Sequence, residues 1–284
     1  MNKHYSWQII DGFYLKIIAF ILMTFDHIGV FMEINAVALD VAHVFRIIGR
    51  LAFPLFIFLM VEGVKHTKNY GKYAMRLGII AAVVLIADIV IHYCFDSSVQ
   101  AYSPLFDLLA CSCVIYLLKR KDKWTALIAL PLAYIGLSFA TDVLENLNNI
   151  TILWFPFYLR AGYSIYGLLL ALAFYYAYPL ARIFLNSSDT TKAFTDTEVE
   201  RNVVNILSAF FLLVVCVAMY LLSFAPGCDL YYGGIIMWAM LSGAFIMLYN
   251  GLRGYNKKWF QYGCYLYFPL HIVIIFAIFT LIFG

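Results

Sequence analysis

Residues 14–32 read YLKIIAFILMTFDHIGVFM, an almost unbroken apolar run with Asp26 and His27 side by side near its far end. Coiled as a helix at about 1.5 Å per residue, the run is long enough to cross a bilayer core of about 30 Å. An ionisable side chain held there costs several kcal/mol unless it is paired or faces water. This stretch therefore raises two questions: how many such spans the chain has, and what the polar groups inside them do.

Comparable runs recur outward from it, at Phe45–Val64, Leu77–Phe95, Tyr102–Leu118, Trp124–Ala140, Tyr163–Ala181, Val203–Phe224, Tyr231–Leu248 and Tyr265–Phe283. With the first they predict an all-α polytopic membrane bundle of about nine spans, residues 1–284 forming a single integral membrane domain. The first run continues past any small-residue cleavage site, so it is expected to be a retained span rather than a signal peptide. Composition agrees: of 284 residues 64% are hydrophobic and 12% charged, at a mean hydropathy of +0.87. A soluble domain carries roughly a quarter charged residues. Six scattered cysteines without a CxxC pair exclude a disulfide scaffold, and a net charge of +3 gives no reason to expect a nucleic acid partner. The aromatic piece Ile150–Leu159, with Trp154 and Pro156, is too short to span and is expected to lie at the interface or to re-enter.

Charge placement orients the bundle, because cytoplasmic loops collect Lys and Arg. All but three of the 19 basic residues fall at the N-terminus or after even-numbered spans; the exceptions are Arg46, Arg50 and Arg160. The N-terminus is thus expected inside and the C-terminus outside, in the inner or plasma membrane. The polar stretch 186–202 reads as a cytoplasmic loop between spans six and seven.

Depth sorts the remaining ionisable groups. Asp26 and His27 lie about 18–20 Å from the inner end of span one. Arg46 and Arg50, four apart and so on one face, occupy the outer turns of span two, with His43 one turn above. Asp88 and His92, also four apart, lie near the outer end of span three, and Asp107 near the start of span four. Each acidic residue is open to two readings, neutralising an arginine or lining a polar cavity; their shared depth favours the cavity. His27 is either a general base, as a neutral imidazole in a partly dry site, or a packing histidine. Glu62 closes span two on the inner side, and His271, just after Pro269, is either a second cavity residue or an ordinary satisfied histidine. Lys65, Lys68, Arg76, Arg253 and Lys258 suit the phosphates of an anionic cosubstrate, although the positive-inside bias also explains them. No metal site is expected, since no His, Glu or Cys set completes one.

Several fragments together resemble the TraX family. They are Leu15-Lys16-Ile17-Ile18-Ala19 leading to Asp26-His27-Ile28-Gly29; Arg46-Ile47-Ile48-Gly49-Arg50-Leu51-Ala52-Phe53-Pro54-Leu55-Phe56 with Val61-Glu62-Gly63; and Leu248-Tyr249-Asn250-Gly251, Arg253-Gly254, Lys258-Trp259 and Tyr267-Phe268-Pro269-Leu270-His271. They cover the first two and last two spans. The family takes its name from a protein associated with N-terminal acetylation of pilin and is similar to a wider class of membrane acyltransferases. The resemblance implies transfer of an acyl group from cytoplasmic acyl-CoA, with acetyl-CoA as cosubstrate, to an amine or hydroxyl on the far side. It sets His27 at the catalytic position and Asp26, Arg46, Arg50, Glu62 and His271 at motif positions. The chain departs from the family where Ala87-Asp88-Ile89-Val90-Ile91-His92 and Asp107 stand.

On this expectation His27, oriented by Asp26 or Asp88, removes the acceptor's proton, while Arg46 and Arg50 stabilise the oxyanion or clamp an acceptor carboxylate. Asp88 joins the catalytic set; His92, Asp107, Glu62 and His271 would contact substrate. A covalent acyl-histidine route is equally open. The acceptor is expected to be a peptide N-terminus, a glycan or a small molecule, and the partners are membrane lipid and acyl-CoA. The alternative is a proton-coupled small-molecule transporter, which Asp, His and Arg in a bilayer would also suit, although no internal repeat supports it.

Overall fold

A computed structural model describes residues 5–94, 103–120, 122–187 and 197–283. Those residues form helices and connecting turns, with one isolated bridge between Ile10 and Tyr249. The helices are α1 (Gly12–Ile34), α2 (Leu39–Arg50), α3 (Ala52–His66), α4 (Tyr70–Cys94), α5 (Pro104–Arg120), α6 (Ala129–Asn148), α7 (Ser164–Ser187), α8 (Thr197–Leu222), α9 (Leu230–Met237), α10 (Ser242–Met247) and α11 (Lys258–Phe283). Eight segments, α2 with α3 and α9 with α10 each counting as one, are long and apolar enough to cross a membrane. The ninth expected span is α5, whose 17 residues sit at the lower edge of what crosses the hydrocarbon core. The protein is a multi-pass membrane protein.

Local chemistry sets the breaks. Asp11 starts α1 by accepting from the amides of Phe13 and Tyr14, at 2.9 and 3.0 Å. Pro54 has no N–H to offer the carbonyl of Arg50, so α2 ends there and α3 resumes at Ala52, the two making one membrane-length segment. Asp229 caps α9 through the amides of Tyr231 and Tyr232. Helices α7 and α8 reach into the expected loop 186–202 from both sides, to Ser187 and from Thr197; residues 188–196 lie outside the described residues.

Residues 150–163 do not span. They fold as an irregular lip with a short 3-10 turn at Phe157–Leu159. Arg160, buried, clips the lip to α6 through Asp142 at 2.9 Å and Glu145 at 2.6 and 2.7 Å, and donates within the lip to the Phe155 carbonyl.

Leu15, Leu55, Ile57, Phe58, Leu170, Phe174 and Leu212 fill the core between α1, α3, α7 and α8. The apolar faces of α6 and α11 stay largely exposed, with Leu130, Leu137, Leu266 and Leu281 outward, as expected where lipid is the solvent. Helices α1 and α2 pack closely at two glycines. A Cβ on Gly49 would stand 2.2 Å from the Cβ of Asp26, and one on Gly29 would stand 3.0 Å from the Ala42 carbonyl oxygen. Small residues at these two points let the polar faces of both helices meet.

Candidate active site

That contact places Asp26 between two arginines. Arg46 and Arg50, one turn apart on α2, both reach it: Arg46 Nη1 donates to Oδ1 at 2.8 Å, and Arg50 Nη2 donates to Oδ1 and Oδ2 at 2.7 and 2.9 Å. Both arginines are buried, with 4% and 3% of their surface exposed. Guanidiniums without paired carboxylates would be untenable there. Glu33 completes the balance, its carboxylate 3.3 Å from Arg46 Nε and accepting from the Tyr231 hydroxyl. Two tyrosines frame the pair. Arg50 Nη1 donates to the Tyr163 hydroxyl at 3.1 Å, and Arg46 Nη2 donates to the Tyr232 hydroxyl at 3.3 Å. The Tyr232 ring also lies 5.2 Å from the Arg50 guanidinium carbon, within cation–π range.

Beside this cluster opens a cavity of about 240 Å³, lined by Asp26, His27, Arg46, Arg50, Asp88 and Tyr163 among apolar side chains. His27 Nδ1 lies 2.8 Å from the Met23 carbonyl and donates to it, which leaves Nε2 as the ring's acceptor. The orientation expected from Asp26 or Asp88 thus comes from a backbone carbonyl of the same helix, because Asp26 is occupied by the arginines. His271 packs edge-on against His27, ring centroids 4.8 Å apart at 90°. Its Nδ1 donates to the Tyr267 carbonyl at 2.7 Å, while its buried Nε2 has no partner among the described residues. Tyr267 stacks on the His271 ring, and its hydroxyl meets Thr24. The two histidines therefore join α1 to α11 at the cavity's edge. Asp88 lines the cavity, 7% exposed, with no hydrogen bond or ion pair to a described residue.

Other expected site residues stand elsewhere. Asp107 is fully buried and faces backbone: both its oxygens lie 3.2 Å from the Tyr163 amide, so it holds the chain where it enters α7. It meets the cluster through Tyr163, which also stacks on Phe53 at 3.7 Å. His92 lies one turn beyond Asp88, against the Phe157 ring, and outside the cavity lining. Glu62 is at the opposite end of the α2–α3 span. It is bound to Arg201 at 3.2 Å, it accepts from the Tyr178 hydroxyl, and His66 lies 3.7 Å away. Lys65 lies over the Tyr178 ring, whereas Lys68, Arg76, Arg253 and Lys258 are exposed. Tyr163, Tyr232 and Arg201 did not emerge from the sequence as site residues.

A family description, TraX protein, matches residues 12–279. A probable fimbrial assembly protein of Dichelobacter nodosus, FimC of serogroup H1, is 39% identical over 75 residues. That match takes in 25% of this chain and 30% of the relative's length. No solved structure matches. The family match runs from the first turn of α1 almost to the end of α11 and takes in the arginine cluster and both histidines, so the chain belongs to the TraX family.

Proposed function

We propose that the protein is a plasma-membrane acyltransferase that moves an acyl group, acetyl in the simplest case, from acyl-CoA to an amine or hydroxyl acceptor. One observation carries this reading: the Nδ1–H of His27 is held by Met23, which leaves Nε2 as a proton acceptor on a side chain that lines the cavity. A neutral imidazole in a low-dielectric site is suited to general base work near neutral pH. The acceptor's amine nitrogen or hydroxyl oxygen attacks the thioester carbonyl, Nε2 takes its proton as the bond forms, and the tetrahedral intermediate expels the CoA thiolate. The imidazolium then returns that proton to the sulfur. Arg50 keeps its Nε–H without an acceptor among the described residues and supplies positive charge to the oxyanion, while Asp26, Tyr163 and Tyr232 hold the two guanidiniums in place.

In this reading the end carrying Lys65, Lys119 and Arg201 faces the cytoplasm, where acyl-CoA is made, and the cavity opens toward the other side. Lys65 and Arg201 stand together there. The exposed Lys68, Arg76, Arg253 and Lys258 add charge for the CoA phosphates. The fimbrial assembly role in the name of the Dichelobacter nodosus relative makes a component of a surface filament the first acceptor to try.

The test is purified protein in nanodiscs with acetyl-CoA labelled in the acetyl group. Release of free CoA that depends on an added acceptor, and that His27→Ala abolishes, is the expected result. Turnover unchanged in His27→Ala removes the base from the mechanism. An absence of CoA binding removes the reaction class.

A further inference from the structure

The buried residues of α11 are Phe260, His271 and Ile275, so a helix that otherwise faces lipid turns one imidazole into the bundle. That ring is fixed on three sides. Its Nδ1–H is tied to the Tyr267 carbonyl at 2.7 Å, the Tyr267 ring stacks on it with centroids 5.0 Å apart, and His27 meets it edge-on at 4.8 Å. Thr24 of α1 holds the Tyr267 hydroxyl in turn. What remains is Nε2, an acceptor that is closed to solvent and has no partner among the described residues. His27 and Ile272 line the cavity and His271 does not, so a molecule bound there has His27 to touch rather than His271.

A buried polar atom left without a partner is a cost calling for an explanation. The explanation lies in its neighbour. In their neutral forms both histidines keep Nδ1–H on the carbonyl four residues back and leave Nε2 as the acceptor. When the Nε2 of His27 takes a proton, that ring becomes a cation in a site of low dielectric, where charge is costly unless fixed dipoles meet it. Asp26 gives little help, since Arg46 and Arg50 hold it and the cluster balances with Glu33. Asp88 lines the cavity without an ion pair to His27, and Tyr73 of α4 faces Tyr265, nearer the start of α11. The polar side chain in ring contact with His27 is His271. The positive end of its dipole, Nδ1–H, is spent on Tyr267, and the negative end, Nε2, stays unbonded. A proton on each ring would set two like charges in contact, so the pair carries one proton at a time.

We infer that His271 is a positioning residue for His27: it fixes the ring of the base from α11 and favours the imidazolium that forms during transfer, without touching substrate. The consequence for turnover rests on the proposed acyl transfer. The contact, and its effect on the protonation of His27, do not.

The experiment uses full-length protein in nanodiscs and two variants, with thermal midpoints checked for both. His271→Phe keeps a ring on Tyr267 and removes the dipole; His271→Gln restores a neutral acceptor near the place of Nε2. In the first arm the histidines carry a nitrogen isotope label, and the His27 signals, identified by their loss in His27→Ala, are followed by NMR through an acid titration. His271→Phe should need about a tenfold higher proton concentration to reach the same imidazolium fraction, and His271→Gln about threefold at most. In the second arm acetyl transfer is measured from acetyl-CoA to glycinamide as the acceptor probe. His271→Phe should lower kcat by about tenfold, less than the hundredfold or more lost with a donor that touches the developing charge, and leave KM within about twofold. In a His27→Ala background it should cost nothing further, because its effect runs through His27.

An unchanged titration in His271→Phe overturns the inference. So does a raised KM at constant kcat, which would make His271 a substrate contact, or an undiminished extra loss beside His27→Ala. Transfer that proceeds in the parent while His271→Phe moves neither readout would sink this inference and spare the reaction class. A shifted titration in a protein that transfers nothing would tell against the reaction and leave the paired histidines standing.

Discussion

Two buried ion clusters, one toward each end of the α2–α3 span, are made from the same parts. At one, Asp26 takes Arg46 and Arg50, with Tyr163 and Tyr232 on the guanidiniums. At the other, Glu62 takes Arg201, with Tyr178 bonded to both. They differ in what surrounds them. The Glu62 cluster is filled: Lys65 covers Tyr178, and the Arg201 guanidinium carbon lies 5.3 Å from the Tyr249 ring, with Gly251 leaving no room for a Cβ beside it. The Asp26 cluster opens on a cavity that also receives His27 and Asp88. A buried charge alone is therefore a poor sign of function, since pairing accounts for it. Unsatisfied atoms beside open space are the better sign, and among the described residues the Asp26 end has both.

The comparison fails if both clusters prove equally necessary for turnover. His27→Ala should have the largest effect, a loss of acyl transfer of about a thousandfold, within what a general base contributes, at little cost in thermal midpoint. Next comes removal of one carboxylate. Asp26→Ala strands the buried Arg50, leaving Arg46 only Glu33, and Glu62→Ala strands the largely buried Arg201; each should destabilise the protein by about 3–5 kcal/mol, read from thermal or denaturant melting. The clusters part company when a whole pair is replaced. Glu62→Leu with Arg201→Met should keep stability within about 1–2 kcal/mol of the parent and turnover within about threefold, because buried pairs often give way to apolar packing at little cost. Asp26→Leu with Arg50→Met should also fold, yet lose transfer as severely as His27→Ala. Retained turnover in that second variant would reduce the Asp26 cluster to a structural pair like its counterpart.

Much of this was legible in the chain. Apolar run length located the spans, and the four-residue spacing of Arg46 and Arg50 put both on one face at the depth of Asp26. Depth is set by counting residues, but rotation about the helix axis is not. Asp107 shares roughly the level of Asp88, yet it turns to the Tyr163 backbone while Asp88 turns to the cavity. Tyr163 and Tyr232 were invisible for a different reason. Among 22 tyrosines in an apolar chain, those that bond a guanidinium look like those that line the membrane interface. The Glu62–Arg201 pair joins residues 139 positions apart, and in the sequence Arg201 looks like any other basic residue flanking a span. Met23 could not be foreseen as the partner of His27, since every residue carries a carbonyl and only the imidazole's rotamer selects one.

The smallest predicted effect is also the cleanest comparison, because it removes one oxygen atom from each cluster. Tyr163→Phe deletes the hydroxyl that accepts from Arg50 while keeping the ring stacked on Phe53. Tyr178→Phe deletes the hydroxyl that joins Arg201 to Glu62 while keeping the ring beneath Lys65. A hydrogen bond to a charged group contributes about 1.5–3 kcal/mol when buried, so both variants should melt earlier, and by similar amounts. Only Tyr163→Phe should slow transfer, by about tenfold, because Arg50 loses the partner that fixes its guanidinium against the cavity and the oxyanion then meets a less ordered donor. The loss should fall on kcat more than on KM, since the interaction strengthens only as charge develops on the carbonyl oxygen. A matching loss in Tyr178→Phe would mean that the two ends of the span are coupled through α3, and that the filled cluster contributes to catalysis as well as to folding.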